Sequence, residues 1–396
     1  MRDFLRKCGD PIVIFGASVA CEAVLCWCAD NLIKVAAVCD NNKNKQGKDI
    51  CGIKIISPEN LPLLYPDARI IICVNDIADI VEQLGKLGCK NYIPGGDILR
   101  GIDISRYSYS RPRSFAAYVA DTCILAHDSF KNPGKVFIRS VDIVITERCS
   151  LHCRDCSNLM QYYRKPQNYD KQSVLDDIER LCSLCEEINE FRIIGGEPLM
   201  NPDWHEIVSY AAKEKNVHKI VIYTNGTILP DVEKLRCAAN SKCLWLITDY
   251  GDLSRNIDGL CDRLDSLKIA YVRTPAANWS DCSSISFHRR NADESQKLFD
   301  SCCVKNSFTL MRGNLYRCPF SANADILQAI PESLCDRLNI RADHTDRAGL
   351  RSFILRNQPL VACNYCSGRP WGAPVIPPAL QYTERPKYKK FPRNDE

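Results

Sequence analysis

No apolar run in the chain reaches the length of a membrane span, so no membrane-crossing segment is expected. Net charge is also scarce. The 52 Lys and Arg against 48 Asp and Glu leave a formal +4 over 396 residues, which gives no argument for a nucleic-acid or membrane-surface partner. The first seven residues include basic ones, but Gly9-Asp-Pro11 interrupts them before any secretory apolar core forms, so the expected location is cytoplasmic. There is no internal repeat and no long low-complexity run. With 45% apolar and 25% charged residues, the composition is that of an ordinary globular protein. The length allows two or three domains with sizeable cores.

Cysteine is what the chain has in excess, at 24 residues. Without an export signal these do not read as a disulfide framework. Cys21, Cys26, Cys28, Cys39 and Cys73 sit in apolar segments and read as small buried hydrophobes. Cys182 and Cys185 are spaced C-x2-C inside a helical pattern and read as packing. Three groups are left: Cys149, Cys153 and Cys156; Cys302 and Cys303 with Cys318; and Cys363 with Cys366. In the first group, three thiolates on one short loop can hold three irons of a [4Fe–4S] cube and leave the fourth open to a ligand. Zinc is the competing reading, but a closed zinc site wants four ligands. His152, as a neighbour of Cys153 on a short loop, is expected to point away.

Taken in order, residues 1–100 alternate strand and helix patterns, with strands at 12–15, 34–39 and 69–74, which argues for a parallel sheet. The first turn is a degraded dinucleotide fingerprint. Gly16 is kept, Ser18 and Cys21 stand where the other glycines belong, and Asp40 lies near the position of an acidic ribose ligand. A helix N-terminus there can still attract a phosphate. Residues 101–135 read as a connector with a short helix over 115–125. The alternation restarts at 136 and runs to about 285. Strands at 141–146, 191–194, 219–223, 244–247 and 269–272 each end in a polar or glycine-rich motif. In a parallel barrel chemistry sits at that end, so these motifs are expected on one rim. Ser173-Val-Leu-Asp176 reads as a capping box, and Asn201 as the cap of a helix whose first residue is Pro202. Residues 308–316 read as a hairpin turning at Arg312-Gly313-Asn314. Residues 371–396, rich in Pro, Tyr and Lys, read as a surface strap or a partly disordered end.

Four of these motifs, in order, resemble the signature of the radical S-adenosylmethionine (SAM) enzymes. They are the cysteine loop, Gly195-Gly196-Glu197-Pro198, Thr224-Asn225-Gly226 and Thr248-Asp249-Tyr250-Gly251. The resemblance implies a cluster on Cys149, Cys153 and Cys156 with SAM on its free iron. It also implies that Gly195 and Gly196 let the backbone lie close to the methionine moiety. Glu197 would meet the SAM ammonium, and Thr224, Asn225, Thr248 and Asp249 would contact ribose or carboxylate. Arg273 reads either as a partner of the SAM carboxylate or as a surface ion pair. Asp155 stands where the family often has an aromatic, which leaves Tyr162 or Tyr163 as candidates near the adenine.

Further on, Cys303-x9-Gly313-x4-Cys318 followed by Cys363-x2-Cys366 resembles the family's auxiliary-cluster extension in its shorter twitch form, rather than the fuller SPASM form. It implies a second [4Fe–4S], with Cys302 as the alternative to Cys303 and zinc as the rival metal; Cys335 reads as a core residue. Residues 1–100, with Asp40-Asn41-Asn42 and the segment from Gly52 to Leu61, resemble Rossmann-like modules attached to sugar-modifying enzymes. The fold class expected is α/β: a partial (β/α)6 radical SAM barrel over 136–285, the N-terminal Rossmann-like parallel-sheet domain, and a small auxiliary-cluster hairpin domain over 286–370.

The activity implied is reductive cleavage of SAM and hydrogen-atom abstraction from a small molecule. A sugar or nucleotide-sugar, dehydrogenated or epimerised, is the favoured substrate, and the auxiliary cluster is the electron acceptor. An external one-electron reductant of flavodoxin or ferredoxin type is implied as partner. A peptide maturase and a non-enzymatic metal-stapled nucleotide-binding protein are the alternatives. No catalytic acid, base or hydrogen-atom donor stands out in the sequence.

Overall fold

The run Ile12–Phe15 is apolar at every position, which suits a strand covered on both faces. In the computed structural model, which describes residues 9–111, 113–370 and 373–393, it forms β1. The basic stretch at residues 1–7 lies outside the described residues. β1 pairs parallel with β2 (Val35–Cys39) on one side and β5 (Arg69–Ile72) on the other. β4 (Ile53–Ile56) extends the sheet beyond β2, and β6 (Tyr92–Pro94) extends it beyond β5, both parallel. The short β3 (Asp49–Ile50) is an antiparallel edge on β4.

Alternate residues of β1 serve two cores. Ile12 and Ile14 pack with Val24 and Cys28 of helix Val19–Asp30 and with Cys123 of helix Arg113–Lys131. Val13 and Phe15 pack with Ile77, Ile80 and Leu84 of helix Ile77–Lys86. Helices on both faces of a mostly parallel sheet make this a doubly wound unit. It runs over Met1–Phe137 and takes in the residues expected as a connector. The physical reason is the 19-residue helix Arg113–Lys131, longer than expected. Its buried His127 accepts the Gly96 N–H at Nδ1 (2.9 Å) and lies 2.8 Å from the Val74 carbonyl at Nε2.

The other unit covers Ile138–Glu396; β7 (Phe137–Ile138) stands at the chain boundary between the two. Five parallel strands lie side by side in chain order: β8 (Val141–Val144), β9 (Glu187–Ile194), β10 (Val217–Thr224), β11 (Cys243–Asp249) and β12 (Tyr271–Pro275). Helices Lys171–Leu184, Trp204–Ala211, Val232–Ala238 and Ile257–Ser266 fill the crossovers. The expected partial barrel takes the form of this open sheet. Its sixth parallel member, β14 (Phe308–Met311), is placed on the free edge of β8. β14 turns through Arg312 and Gly313, both at positive φ, into β15 (Asn314–Tyr316), as the glycine turn predicts. β16 (Arg337–Asn339) closes that edge. β13 (Trp279–Ser280) pairs antiparallel with β17 (Val375–Ile376), so part of the tail is a bound strand.

Two helix starts differ from the sequence reading. Asp170 caps helix Lys171–Leu184 by accepting the Ser173 N–H at 2.9 Å, so Ser173 lies in the first turn and is not the cap. Asn201 accepts the Asp203 N–H, while its amide donates to the carbonyls of Ile145 (2.8 Å) and Tyr169 (3.2 Å). It therefore fastens the start of helix Trp204–Ala211 to the end of β8. No helix among the described residues is long and apolar enough to cross a membrane.

Candidate functional site

The loop carrying the first three cysteines leaves the end of β8. Beyond the regular pairing, the end of β9 continues to track it. Ile145 N–H donates to Ile194 O, Gly196 N–H to Thr146 O, and Glu197 N–H to Arg148 O (3.0, 3.1 and 2.8 Å). A Cβ on Gly195 would collide with the Thr146 carbonyl. One on Gly196 would collide with the Arg148 carbonyl and lie 2.7 Å from Cys149 Cβ. The two glycines are thus needed for the close approach of two backbones. The backbone they approach is the cysteine loop itself.

Glu197 is buried, and its carboxylate is used within the protein. It accepts from Thr224 Oγ1 (2.9 Å), Asn225 N–H (2.8 Å) and Leu199 N–H (3.2 Å). Burial pushes its pKa up to about 7, against the pull of those three donors. Asn225 then reaches the cysteine loop. Its Nδ2 donates to Ser150 Oγ at 3.1 Å and stands 3.9 Å from Cys149 Sγ. Thr227 and Ser150 hydroxyls meet at 2.5 Å, and Thr227 also donates to Asn225 Oδ1. Ser254 Oγ donates to the Asn225 carbonyl at 2.7 Å and accepts the Tyr250 N–H at 2.9 Å. Three strand ends, those of β9, β10 and β11, are linked in this way to Cys149–Ser150. Ser150, Thr227 and Ser254 had no sequence signal beyond being small hydroxyl residues near the motifs.

Asp249 and Thr248, at the end of β11, both have partners within the protein. Asp249 Oδ2 receives Arg273 Nε (2.9 Å) and Nη2 (2.7 Å), and Arg273 Nη1 also reaches Asp258 at 2.6 Å. The Arg273 guanidinium holds the Asp249 carboxyl below its ordinary range. Of its two readings, Arg273 takes the ion pair. The Thr248 carbonyl faces Ser254 Oγ at 3.4 Å. Tyr162 and Tyr163 are buried: Tyr163 Oη donates to Asn323 at 2.8 Å and Tyr162 packs edge-on against Tyr388. Neither is open to an adenine. Tyr250 and Tyr382 are aromatics that do stand by the cysteine loop, and Tyr250 is the more buried of the two. Burial raises its hydroxyl, with the charges of Cys153, Cys156 and Cys149 acting in the same direction.

Burial also pushes up the thiols of Cys149 and Cys156, and that of Cys153 to about 11. Among the described residues no group of three or more His, Cys, Asp or Glu is set around a single metal ion. A cubane spreads its thiolates over separate irons. The donor set of three partly buried cysteines on one loop, with no carboxylate or imidazole turned in among them, fits such a cluster.

The second cysteine set is drawn from separate segments into one cavity, lined by Cys282, Cys302, Cys318, Cys363 and Cys366 and by Arg369. Cys302 is at this cavity, and Cys303 is the exposed neighbour whose backbone N–H donates to Arg369 O at 2.9 Å. Cys302 bridges to Pro370 in extended conformation, so successive side chains point to opposite sides. Of the two candidates for the first ligand, the structure brings Cys302, not Cys303, to Cys318, Cys363 and Cys366. Four cysteines suffice for a fully ligated [4Fe–4S], and the set fits. Sequence reasoning missed Cys282, which has no partner at a telling spacing; its sulfur accepts from Arg369 Nε at 2.7 Å. Cys335, expected in the core, is exposed, whereas Cys21, Cys28, Cys39, Cys73, Cys182 and Cys185 are buried.

At the Gly16 turn the Asp40 carboxylate is bonded within the turn itself. It accepts Ala17 N–H (2.8 Å) and Asn42 N–H (2.7 Å), and Lys45 Nζ lies 3.3 Å away. Asp40, read from the sequence as lying near the place of a ribose ligand, thus ties the first turn to the end of β2.

Residues 143–245 match the Radical SAM superfamily, and residues 9–94 match the family described as C2185-like, N-terminal. The chain is similar to GTP 3′,8-cyclase of Clostridium acetobutylicum, with 31% identity over 138 residues, 31% of this chain and 43% of that protein. It is similar to PqqA peptide cyclase of Gluconobacter oxydans, with 29% identity over 133 residues, 34% of this chain and 35% of that protein. It spans less than half the length of these curated relatives. A solved structure of BtrN in complex with AdoMet and 2-DOIA aligns with TM-score 0.40 and 15% identity, over 59% of this chain and 94% of that one. The chain carries a radical SAM domain, and that family implies a [4Fe–4S] cluster and bound SAM.

Proposed function

We propose, from the radical SAM domain at residues 143–245, that the protein is an enzyme which cleaves SAM at a [4Fe–4S] cluster on Cys149, Cys153 and Cys156 and takes a hydrogen atom from its substrate. We propose a second [4Fe–4S] on Cys302, Cys318, Cys363 and Cys366. The observation that supports two coupled centres is their shared packing. Cys156 of the first set and Cys318, Cys363 and Cys366 of the second border one hydrophobic cluster built on Leu159, Met160 and Phe320.

A cluster held by Cys149, Cys153 and Cys156 would supply the electron chemistry that cleaves SAM, and one held by Cys302, Cys318, Cys363 and Cys366 would supply an acceptor for an electron from the substrate. The chain's own residues supply position and dryness. Glu197, Thr224 and Asn225 hold Cys149 and Ser150 in place, and the Leu159–Phe320 cluster keeps water from the space beside Cys156. The electron for SAM cleavage comes from an external one-electron carrier of flavodoxin or ferredoxin type.

For the substrate, the nucleotide-sugar reading rested on the N-terminal unit, and the turn sealed by Asp40 gives it no support there. The names of the two relatives state a nucleotide, GTP, and a peptide, PqqA. Peptides therefore stand beside nucleotides and sugars as the classes to be tried.

Anaerobic reconstitution tests the reading. About eight irons per chain and reductant-dependent 5′-deoxyadenosine are expected. Cys302→Ala should bind about four irons and Cys303→Ala about eight. One or two zincs with no SAM cleavage would overturn the proposal. Deuterated peptide and nucleotide-sugar panels, read by label in 5′-deoxyadenosine, then separate the substrate classes.

A further inference from the structure

The tail beyond residue 370 has no strand or helix period in its sequence, yet it is held against the first cysteine loop by a short ladder. Residues 380–382 run antiparallel to 152–154. Arg154 N–H donates to Leu380 O at 2.6 Å, and Tyr382 N–H donates to His152 O at 2.7 Å. Cys153 and Gln381 are the bridged pair between them, and the rings of His152 and Tyr382 lie 5.4 Å apart. The orientation of the Gln381 amide is set from both ends. Its Oε1 accepts the His152 N–H at 2.7 Å, which turns Nε2 toward the Ala379 carbonyl (2.7 Å) and Cys153 Sγ (3.5 Å). A backbone ladder ties the strap to the loop whatever the side chains are; within the ladder residues 380–382, Gln381 is the side chain that adds a donor to a proposed ligand sulfur.

We infer that Gln381 is a positioning residue for the first cluster: its amide N–H donates to the Cys153 thiolate and makes the cluster held there easier to reduce. This rests on the cluster proposed for Cys149, Cys153 and Cys156. A hydrogen bond to a ligand sulfur withdraws electron density and favours the reduced, more negative state, so the midpoint potential rises. Solvent exposure acts on the potential as well. Deleting the side chain would therefore mix two effects, and the test uses side chains of similar length.

The experiment is an EPR-monitored redox titration of the reconstituted full chain, with iron counted in parallel. Gln381→Glu keeps an acceptor for the His152 N–H, loses the donor to Cys153 and adds negative charge. Gln381→Met loses the donor and adds no charge. The expected result is a lower midpoint for the first cluster in both variants, lower in Glu than in Met, with the second cluster unmoved. A first cluster that titrates as wild type, or at a higher potential, in both variants overturns the inference. If Gln381→Glu fails to retain its irons, the midpoint of Gln381→Met alone decides. A failure of the underlying reading looks different: Cys153→Ala would then bind as much iron as the wild type. If Cys153→Ala loses the first cluster while the Gln381 variants titrate unchanged, only the role of Gln381 falls.

Discussion

Two of the glycine-marked turns at the ends of parallel strands, at Gly16 and at Gly195-Gly196, are used in opposite ways. At Gly16 the space of the missing Cβ is taken by the end of β5, at Cys73 and Val74. Asp40 crosses from the end of β2 and takes the N–H of Ala17 and of Asn42. The polar groups of that turn are spent on closing it. At Gly195 and Gly196 the space is taken by Thr146, Arg148 and Cys149, the segment that carries the reactive loop. The carboxylate beside them, Glu197, reaches the end of β10 and, through Asn225, comes back to the same loop. A glycine in such a turn reports that something comes close. Which neighbour comes close decides whether the turn is a seal or a brace.

The largest effect is expected from adding one methyl group to each turn. In Gly196→Ala the new Cβ meets the Arg148 carbonyl and Cys149 Cβ, and the loop must shift by a sizeable fraction of an ångström. Reductive formation of 5′-deoxyadenosine should fall about 100-fold or more, the usual consequence of such a misplacement, with loss of the first cluster's irons. In Gly16→Ala the methyl meets Val74, and φ is +106°. The N-terminal unit should lose about 2–4 kcal/mol, seen as an earlier unfolding transition, while iron content and SAM cleavage stay at wild-type levels. Equal loss of iron in both variants would remove the distinction between seal and brace.

A smaller effect separates the two carboxylates. Asp40→Ala leaves the Ala17 N–H without its acceptor in a buried turn, which should cost about 1–3 kcal/mol. Thermal unfolding of the full chain should show that loss with SAM cleavage unchanged. If the seal reading holds, Asp40→Ala should also bind nucleotides no better than the wild type, because Gly16 stays packed on Val74. A nucleotide-dependent rise in the unfolding temperature of the variant alone would show that Asp40 occupies a working phosphate site.

What was legible in advance follows the same division. Cys149, Cys153 and Cys156 were readable because their relation is local, and the strand-end motifs because each ends a strong β run. The second set was readable as a group but not in its first member, since Cys302 and Cys303 are neighbours and only the extended backbone beside Pro370 decides which side chain faces the cavity. Cys282 was out of reach, because its relation to Cys366 and Arg369 exists only through folding. The placement of β14 on β8 was also hidden, since one apolar strand edge reads like another. For the tail a surface strap was one of two readings, but where it attaches was hidden: the main attachments of 380–382 are backbone hydrogen bonds, which leave no mark in the residue types.

A further predicted effect, of similar size at its ceiling, lies at Glu197 and is a matter of pH. Burial raises its pKa from an ordinary 4.5 to about 7 in the folded state. A carboxyl whose folded pKa lies above its unfolded one binds more protons when folded. Its contribution is therefore fully present below about pH 4.5 and is lost as pH rises to about 7. The ceiling on that loss is on the order of 3 kcal/mol, and the three hydrogen bonds to the ionised form are already included in the shifted value. The iron-free chain should thus show a urea midpoint for the second unit that declines across this range. Glu197→Gln should flatten the decline. Its Oε1 can take the Asn225 N–H and its Nε2 can face Thr224 Oγ1, at the expense of the bond from Leu199 N–H, about 1 kcal/mol. The variant is then expected to be the less stable protein near pH 4.5 and to close the gap, or overtake, near pH 7. Parallel pH profiles for the two proteins would mean that Glu197 ionises freely in the brace. The contrast with the sealed turn would then rest on the glycines alone.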